Sequence, residues 1–446
     1  MSKTGSQILI DALKKENVEY VFGLPGGVVI PLFDTLFDES DIKFILTRHE
    51  QAAGHAADGY ARATGKVGVC IVTSGPGATN LTTAIATAYM DSIPMVAITG
   101  QVKTHLIGSD AFQEADVTGI TRPISKHNYL VKDIKELGRI VKEAFYIAST
   151  GRPGPVVIDL PVDVTTDTWD GDTPDKINLP GYKPSYEGNV RQIKMAAEAI
   201  NRSKRPVIYA GGGVISSNSS KQLIELAEKA NLPVNTTLLA LGVFPEDNEK
   251  ALGMLGMHGT VPANYAVHKS DLLIAIGARF DDRITGKIDE FAPQAQIIHI
   301  DVDPTSISKN IKVDIPVVGD ANNILTELIK HVSYVERKEW FERIVEWKKR
   351  YHVSYDNTSD IVKPQYVVEQ ICEATKGEAI VTTEVGQNQM WAAQYYTYTN
   401  PRSFLSSGGL GTMGFGFPAA IGAQLGCLDK IVIAIAGDGS FQMNIQ

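Results

Sequence analysis

The sequence has little cysteine and no excess of basic residues, and each shortage excludes a class of protein. Its three cysteines, Cys70, Cys372 and Cys427, lie far apart without CxxC or Cys/His spacing, so neither a disulfide framework nor a zinc site is predicted. The 42 Lys and Arg against 51 Asp and Glu give a net charge of -9, which argues against a surface that follows nucleic-acid phosphates.

Long apolar runs are also missing. The longest one near the end of the chain, residues 431–436, has the length of a strand and is far too short to span a bilayer. Residues 6–18 have the apolar spacing of an amphipathic helix, so we expect no targeting segment ahead of it. These observations predict a cytoplasmic protein with neither a membrane nor a nucleic acid as partner.

Short β-branched runs alternate with helical patterns along most of the chain, which predicts parallel sheets covered by helices. Strands are predicted at 44–46, 67–72, 95–99, 156–160, 206–210, 271–276, 296–300, 315–318, 379–382 and 431–436. We therefore expect an α/β fold of three doubly wound domains, at 1–185, 189–345 and 363–446, with an acidic, turn-rich linker at 165–188. The third block has 84 residues, fewer than the ~150 of a typical domain, so we expect it to be incomplete.

The third block ends in a strand that runs into Gly437, Asp438 and Gly439. Flanking glycines let a diphosphate and a metal ion approach the backbone closely, and Mg²⁺ prefers hard oxygen ligands such as a carboxylate. Asp438 is therefore the predicted metal ligand. Taken alone, Gly-Asp-Gly fits a tight turn after a strand equally well.

Two motifs in the first block decide between these alternatives. Residues 48–62 (RHEQAAGHAADGYAR) open a helix after a predicted strand, and residues 73–80 (TSGPGATN) open the next helix. Together with the distal Gly-Asp-Gly, they resemble the thiamine-diphosphate enzyme superfamily, and Glu50 matches the glutamate of its pyrimidine-binding domain. A carboxyl group suits that position because its hydrogen bond to pyrimidine N1′ favours the tautomer that accepts the C2 proton. Without this context, a glutamate at a helix start is only a favourable partner of the helix dipole.

Further segments of the third block resemble the same superfamily. The glycine-rich loop 408–416 places Met413 where the family holds the cofactor bent, and residues 385–388 resemble its diphosphate-contacting segment. Glu384 and Asn388 stand where the family often has Asp and His. The resemblance implies thiamine diphosphate contacts at Glu50, Val385, Gly386, Gln387, Asn388, Gly411, Met413, Gly437, Gly439 and Ser440, with Asp438 binding Mg²⁺.

The segments 107–114 (IGSDAFQE) and 277–286 (GARFDDRITG) narrow the resemblance to the acetohydroxyacid synthase family. This implies catalytic roles for Glu50, Gly27, Phe112, Gln113 and Arg283. Arg283 would bind the carboxylate of a second 2-oxo acid, because a planar guanidinium binds carboxylates bidentately. A surface salt bridge is the alternative role for that arginine.

The middle block resembles the part of this family that binds FAD. The implied FAD contacts are Arg152, Gly211, Gly212, Gly213, Met257, His258, Gly259, Thr260, Gly277, Arg279, Asp281, Asp301, Asp303 and Asp320. Since the expected reaction involves no net oxidation or reduction, FAD would have a structural role.

The resemblance implies an acetolactate synthase of branched-chain amino acid biosynthesis that decarboxylates pyruvate and joins the product to pyruvate or 2-oxobutanoate. It also implies a homodimer or a dimer of dimers and a regulatory small subunit. The alternatives are a pyruvate oxidase, a FAD-free catabolic acetolactate synthase and an inactive fragment. Because the third block is short, we expect this chain alone not to turn over pyruvate.

Overall fold

The computed structural model describes residues 2–171, 176–358 and 360–446, so part of the predicted linker, 172–175, lies outside the described residues. The chain divides into two compact units. The first comprises Met1–Lys183, Thr382–Val385 and Leu405–Gln446, and the second comprises Pro184–Val381 and Gly386–Phe404.

The first unit is built on a six-stranded parallel sheet in the order β3-β2-β4-β5-β7-β6, beside a two-stranded pair of β1 and β8. These strands are β1 Lys3–Thr4, β2 Tyr20–Leu24, β3 Lys43–Leu46, β4 Gly68–Val72, β5 Met95–Gln101, β6 His127–Leu130, β7 Pro155–Pro161 and β8 Thr168–Trp169. The helices between and after them are α1 Gly5–Lys15, α2 Ile30–Phe37, α3 Glu50–Thr64, α4 Pro76–Asn80, α5 Thr82–Asp91, α6 Val117–Thr121, α7 Ile134–Ser149 and α8 Val162–Thr166.

Side chains of this sheet alternate between two apolar cores because successive residues of a strand point to opposite faces. On β5, Val96 and Ile98 pack into the core that includes α1 and α7, whereas Met95 and Ala97 pack into the core that includes α3 and α5. Helices therefore cover both faces, as the predicted doubly wound architecture requires.

The second unit contains another six-stranded parallel sheet, in the order β11-β10-β9-β12-β13-β14. Its strands are β9 Pro206–Ala210, β10 Val234–Thr236, β11 Ala251–Met254, β12 Leu272–Ile276, β13 Gln296–Asp301 and β14 Ile315–Val318. The helices of this part are α9 Val190–Arg202, α10 Gly212–Ser216, α11 Ser220–Ala230, α12 Val261–Lys269, α13 Asp282–Thr285, α14 Ala321–His331 and α15 Lys338–Arg350.

A third sheet has three strands in the order β16-β15-β17. These are β15 Ile380–Thr383, β16 Phe404–Leu405 and β17 Val432–Ile435, and the accompanying helices are α16 Pro364–Thr375, α17 Gln387–Tyr395, α18 Gly416–Gly426 and α19 Asp438–Met443. In the part of the chain that the structure describes, no helix combines the length and apolar character needed to cross a membrane.

All ten predicted strands are present. Among the described residues, seven further strands had not been predicted: β1, β2, β6, β8, β10, β11 and β16. The sequence of β2, YVFGL, is a continuous apolar run that contains glycine, and that of β6, HNYL, is half polar. Neither has the alternation of a half-buried strand. Each is a strand because it pairs with neighbouring strands of the sheet, and its own sequence pattern does not predict it.

Helices α3 and α18 of the first unit pack against each other at backbone distance. A Cβ atom at Gly59 would overlap the carbonyl oxygen of Ala419, and one at Gly422 would overlap that of Ala56. Farther along, a Cβ at Gly426 would meet the side chains of Tyr60 and Thr64. Glycines at these positions allow a closer approach than any other residue would.

A buried arginine reinforces this contact. The guanidinium of Arg62 on α3 contacts the carboxylate of Asp58, donates to Asp91 at 2.8 Å and to the carbonyl oxygen of Ser406 at 2.8 Å, and lies over the ring of Phe415. Burial lowers the pKa of Arg62, but the charges of Asp58 and Asp91 outweigh it, so its pKa is raised and it stays charged. Asp91 in turn accepts from the backbone N–H groups of 408 and 409.

We expect Gly59→Ala to destabilise the first unit by about 1–3 kcal/mol, the usual cost of overpacking a close contact. The added methyl group meets backbone, which cannot move aside as a flexible side chain can. The measurement is urea unfolding of the cofactor-free protein. Gly212→Ala on α10 is the control, because the nearest atom to its added Cβ lies 3.9 Å away. Equal stability of both variants would contradict the close packing of α3 and α18.

Candidate active site

The carboxyl ends of β2, β4 and β5 form a cradle in the first unit, where the strand order reverses between β2 and β4. A Cβ atom at Gly26 would lie 2.6 Å from the Thr73 side chain, and one at Gly100 would lie 2.6 Å from Val28 and 3.4 Å from the backbone nitrogen of Ser74. Ligands of open parallel sheets bind at such reversals. The structure thus places the predicted residue Gly27, which is exposed, at the edge of a ligand crevice.

Glu50 lies in this cradle as the first residue of α3, and its side chain is buried, with 8% exposed. Its Oε2 accepts a 3.0 Å hydrogen bond from Asn80 Nδ2. A Cβ at Gly77 would lie 3.2 Å from Oε1, so the glycine leaves room beside that oxygen. One carboxylate oxygen is therefore held by Asn80, while the other lies beside Gly77.

Two buried hydroxyl groups in the cradle have no protein partner in the part of the chain that the structure describes: Thr73 Oγ1 and Ser74 Oγ. Buried polar atoms in folded proteins are almost always hydrogen-bonded, so these two indicate a polar ligand or water. Together with the space beside Glu50, they fit the aminopyrimidine of thiamine diphosphate, whose ring nitrogens and amino group need such partners. Sequence reasoning included both residues in a motif but gave neither a role.

The predicted loop 107–114 lies against the same cradle. A Cβ at Gly75, which has φ +54°, would lie 2.6 Å from the backbone oxygen of Gln113. Gln113 itself adopts φ +60°, and Phe112 is 87% exposed. The carboxylate of Glu114 accepts from the backbone N–H groups of 108 and 111, which fixes the loop internally. The structure thus brings Gln113 to the cradle, while Phe112 extends into solvent.

A second group of predicted residues converges at the end of β17. The Met413 methyl carbon lies 3.8 Å from the position of a Cβ on Gly439, and Val385 lies 3.9 Å from that of Gly411. Asp438 begins α19 and is exposed, and Met413 is 41% exposed. The residues Val385, Gly411, Met413 and Gly439 are therefore neighbours in the first unit.

The donor set for a metal ion here is limited. Among the residues with described positions, no three His, Cys, Asp or Glu side chains form a group that could hold a metal. The exposed carboxylate of Asp438 can supply one hard oxygen ligand, and Mg²⁺ commonly takes one or two protein carboxylates and completes its shell with phosphate oxygens and water. The residues present fit a magnesium ion that a diphosphate helps to hold.

The predicted diphosphate contacts Gln387 and Asn388 lie at the start of α17, after Gly386 with φ +151°.

In the second unit, the predicted FAD residues lie at the carboxyl ends of neighbouring strands. A Cβ at Gly213, after β9, would lie 2.6 Å from the Cα of Gly277, after β12, and one at Gly211 would overlap the Gly277 carbonyl. Asp301 ends β13, and Asp320 follows β14 as the N-cap of α14. The strand order reverses between β9 and β12, so this edge is again a ligand crevice.

Glycines line this crevice and acidic residues border it, and both features occur in sites that bind dinucleotides. Asp303 follows Asp301 and accepts from the backbone N–H of Thr305, while Arg279 and Asp281 follow Gly277. Thr260 caps α12, and a Cβ on Gly259 would overlap the carbonyl of Met254. Met257 and His258 precede them, and Met257 is exposed. Arg152 lies in the first unit, where its Nε donates to Ser92 Oγ at 2.8 Å.

Arg283 lies on the short helix α13, and its side chain is 70% exposed, with Nε 3.9 Å from the Asp282 carboxylate. At that exposure the ion pair contributes little to stability, so the guanidinium is available to another carboxylate.

Sequence reasoning missed a buried carboxylate beneath the cradle. Asp159 on β7 accepts from Thr99 Oγ1 at 2.8 Å and from Gln101 Nε2 at 3.0 Å. The same Gln101 nitrogen donates to the carbonyl of Ala115, directly after the loop 107–114. Burial raises the pKa of Asp159 to about 6, because desolvation outweighs both hydrogen bonds.

Three family models match the chain in order. They are the N-terminal TPP binding domain (residues 3–120), the central domain (193–328) and the C-terminal TPP binding domain (384–446) of thiamine pyrophosphate enzymes. The chain is 50% identical to the acetolactate synthase large subunit of Haemophilus influenzae over 99% of its own length and 79% of that protein. The chain belongs to the acetolactate synthase large-subunit family.

Other members of this family are equally similar. The probable acetolactate synthase large subunit of Methanocaldococcus jannaschii is 55% identical over 99% of the chain and 77% of that protein. The acetolactate synthase large subunit of Corynebacterium glutamicum is 51% identical over 99% and 72%. Both cradle motifs and the Gly-Asp-Gly turn fall within the two TPP-binding matches, so the family resemblance inferred from those motifs is confirmed.

We expect the stability difference between Asp159→Asn and the wild type to change with pH. The folded protein favours the protonated carboxyl of Asp159. The stability that this protonation gives the wild type is therefore complete below about pH 3.8 and is lost as the pH rises to about 6. The variant should therefore gain about 3 kcal/mol relative to wild type across that range. Urea unfolding at pH 4 to 7 tests this, with the exposed Asp34→Asn as control. A difference that does not vary with pH would contradict it.

Proposed function

We propose that this chain is the large subunit of an acetolactate synthase, which decarboxylates pyruvate and joins the product to a second 2-oxo acid in branched-chain amino acid biosynthesis. The observation that carries the proposal is the position of Glu50, buried at the start of α3 with one oxygen bonded to Asn80 and the other beside Gly77. The sequence identity of about 50% over 99% of the chain to acetolactate synthase large subunits supports the same reaction.

Thiamine diphosphate supplies a nucleophilic carbon that adds to a 2-oxo acid and accommodates the charge left by CO₂. Glu50 would hold a proton at the pyrimidine N1′, and Asn80 would keep its carboxylate in the orientation for that hydrogen bond. The hydroxyl groups of Thr73 and Ser74 would bind polar atoms of cofactor or substrate. Asp438 would bind Mg²⁺. The diphosphate and thiazolium would be surrounded by residues of the first unit: Val385, Gly411, Met413, Gly437, Gly439 and Ser440.

FAD would bind at the glycine-lined edge of the second sheet. Gly211 and Gly213 pack against the backbone of Gly277, whereas the nearest atom to a Cβ on Gly212 lies 3.9 Å away, which leaves room for a dinucleotide. The acidic residues Asp301 and Asp320 would supply hydrogen-bond acceptors. Since the proposed reaction has no net redox change, the flavin would remain in one oxidation state during turnover.

The second substrate would be pyruvate or 2-oxobutanoate, with its carboxylate on Arg283. A homodimer or dimer of dimers and a regulatory small subunit complete the proposal. The designation of the relatives as large subunits supports a small partner. Exposure of Phe112 fits a loop whose apolar side chain is covered only when the active site is assembled.

The test is anaerobic incubation of the full-length protein with pyruvate, thiamine diphosphate, Mg²⁺ and FAD, followed by separate assays of acetolactate and acetate. Acetolactate as the main product supports the proposal, and acetate produced only with an electron acceptor would favour a pyruvate oxidase. FAD that copurifies without being reduced by pyruvate supports a structural flavin. Failure to bind FAD would favour a FAD-free catabolic acetolactate synthase.

We expect Glu50→Gln to retain the fold and thiamine diphosphate binding but to lose most exchange of the cofactor's C2 proton. Glutamine has nearly the same shape yet cannot share a proton with N1′, and removing a positioned acid or base typically costs about 10²–10⁴-fold in rate. The measurement is C2 proton–deuterium exchange by NMR. Exchange at the wild-type rate would rule out the role given to Glu50.

We expect Arg283→Ala to reduce condensation more than decarboxylation. Its guanidinium is exposed and would contact only the second oxo acid. Released acetaldehyde should therefore rise relative to acetolactate by about tenfold, which is the effect expected from the loss of one charge-assisted hydrogen bond. Product analysis at saturating pyruvate measures the ratio, and Arg191→Ala, an exposed arginine on α9, is the control. If both products fall equally, Arg283 does not bind the second substrate.

A further inference from the structure

One buried carboxylate collects four successive backbone N–H groups at the end of β15. Glu384 Oε2 accepts from Gly414 at 2.7 Å and Phe415 at 3.0 Å. Its Oε1 accepts from Gly416 at 2.9 Å and Phe417 at 3.2 Å. The side chain is fully buried, so its carboxylate is surrounded by these four donors and not by bulk water.

The helix that receives this carboxylate has no local cap. Phe415 occupies the N-cap position of α18 and makes no side-chain cap hydrogen bond. The first N–H groups of a helix lack partners within the helix, and the helix dipole favours a negative charge beside them. Glu384, some 30 residues earlier in the chain, satisfies both requirements at once.

The segment held by Glu384 carries Met413 and borders the Gly-Asp-Gly turn. Gly414 has φ +83°, a conformation that glycine adopts without strain, and its carbonyl accepts from Asn444 Nδ2 at 2.7 Å. The Met413 methyl lies 3.8 Å from the position of a Cβ on Gly439. The backbone after Met413 is thus fixed through both its N–H and its C=O groups.

We infer that Glu384 is a positioning residue for thiamine diphosphate, which fixes Met413 and the adjoining backbone in the geometry that binds the cofactor. This inference rests on the proposed function, in which Met413 contacts the bent cofactor. Glu384 acts through the backbone of 414–417, because its oxygens are already occupied by those N–H groups.

The chemistry of the contact requires a carboxylate. In Glu384→Gln, the amide NH₂ would face two N–H groups whichever way it is turned, since each oxygen of the glutamate accepts from two donors. Glu384→Asp keeps all the acceptors on a side chain that is one methylene shorter. Comparison of the two variants therefore separates the charge and acceptors from the shape of the side chain.

The first measurement is hydrogen–deuterium exchange of residues 411–418 in the cofactor-free protein. The second is thiamine diphosphate affinity at fixed Mg²⁺, together with KM and kcat for pyruvate. In Glu384→Gln, we expect exchange to become about tenfold faster and the cofactor dissociation constant to rise about tenfold or more, with a smaller change in the KM of pyruvate. Glu143→Gln is the matched control, a buried glutamate of the first unit bonded to Tyr129 and Arg139.

Recovery of cofactor affinity to within about threefold of wild type in Glu384→Asp supports the inference, and failure of that recovery overturns it. Wild-type cofactor affinity in Glu384→Gln, despite faster exchange, also overturns it while leaving the proposed function intact. If Glu384→Gln does not fold, the cofactor affinity of Glu384→Asp alone tests the inference, with the same limit of about threefold from wild type. A wild-type protein that binds no thiamine diphosphate would refute the proposed function, whereas the exchange experiment would still test the contact.

Discussion

The close packing of α3 against α18 is the constraint on which the first unit depends. Gly59 and Gly422 allow the two helix backbones to meet, and Arg62 reaches from α3 to Asp91 and the carbonyl of Ser406. This contact joins residues that are more than 300 positions apart in the sequence. Without it, α18 would lose the helix face on which it packs, and Arg62 would lose the carbonyl of Ser406 as an acceptor.

Because of this contact, the two segments that match thiamine pyrophosphate binding domains belong largely to one compact unit. Helix α3 begins at Glu50, and α18 begins three residues after Met413, so a predicted cofactor residue lies at or shortly before the N-terminus of each helix. The second unit has a crevice of the same kind in its own sheet. Its sheet also reverses order between two strands, and its glycines also lie at that reversal.

The sequence was sufficient to predict the fold class, most strands and the two motifs that border the cradle, because these depend on local patterns. It was insufficient for β2 and β6, which are defined by sheet neighbours, and for contacts between distant residues. Glu384 was noted only as a departure from the usual aspartate, and Asp159 was not noted at all. Both are single acidic residues after or within apolar strands, and nothing in the local sequence reveals which backbone groups or side chains they meet.

The central claim is that one body carries both thiamine-binding segments. It is tested most directly by hydrogen–deuterium exchange of the whole chain during titration with thiamine diphosphate and Mg²⁺. The account predicts that residues 50–80 and 411–441 gain protection over the same range of cofactor concentration, while residues 193–328 gain none. Protection confined to one of the two segments, or absent from both, would contradict it.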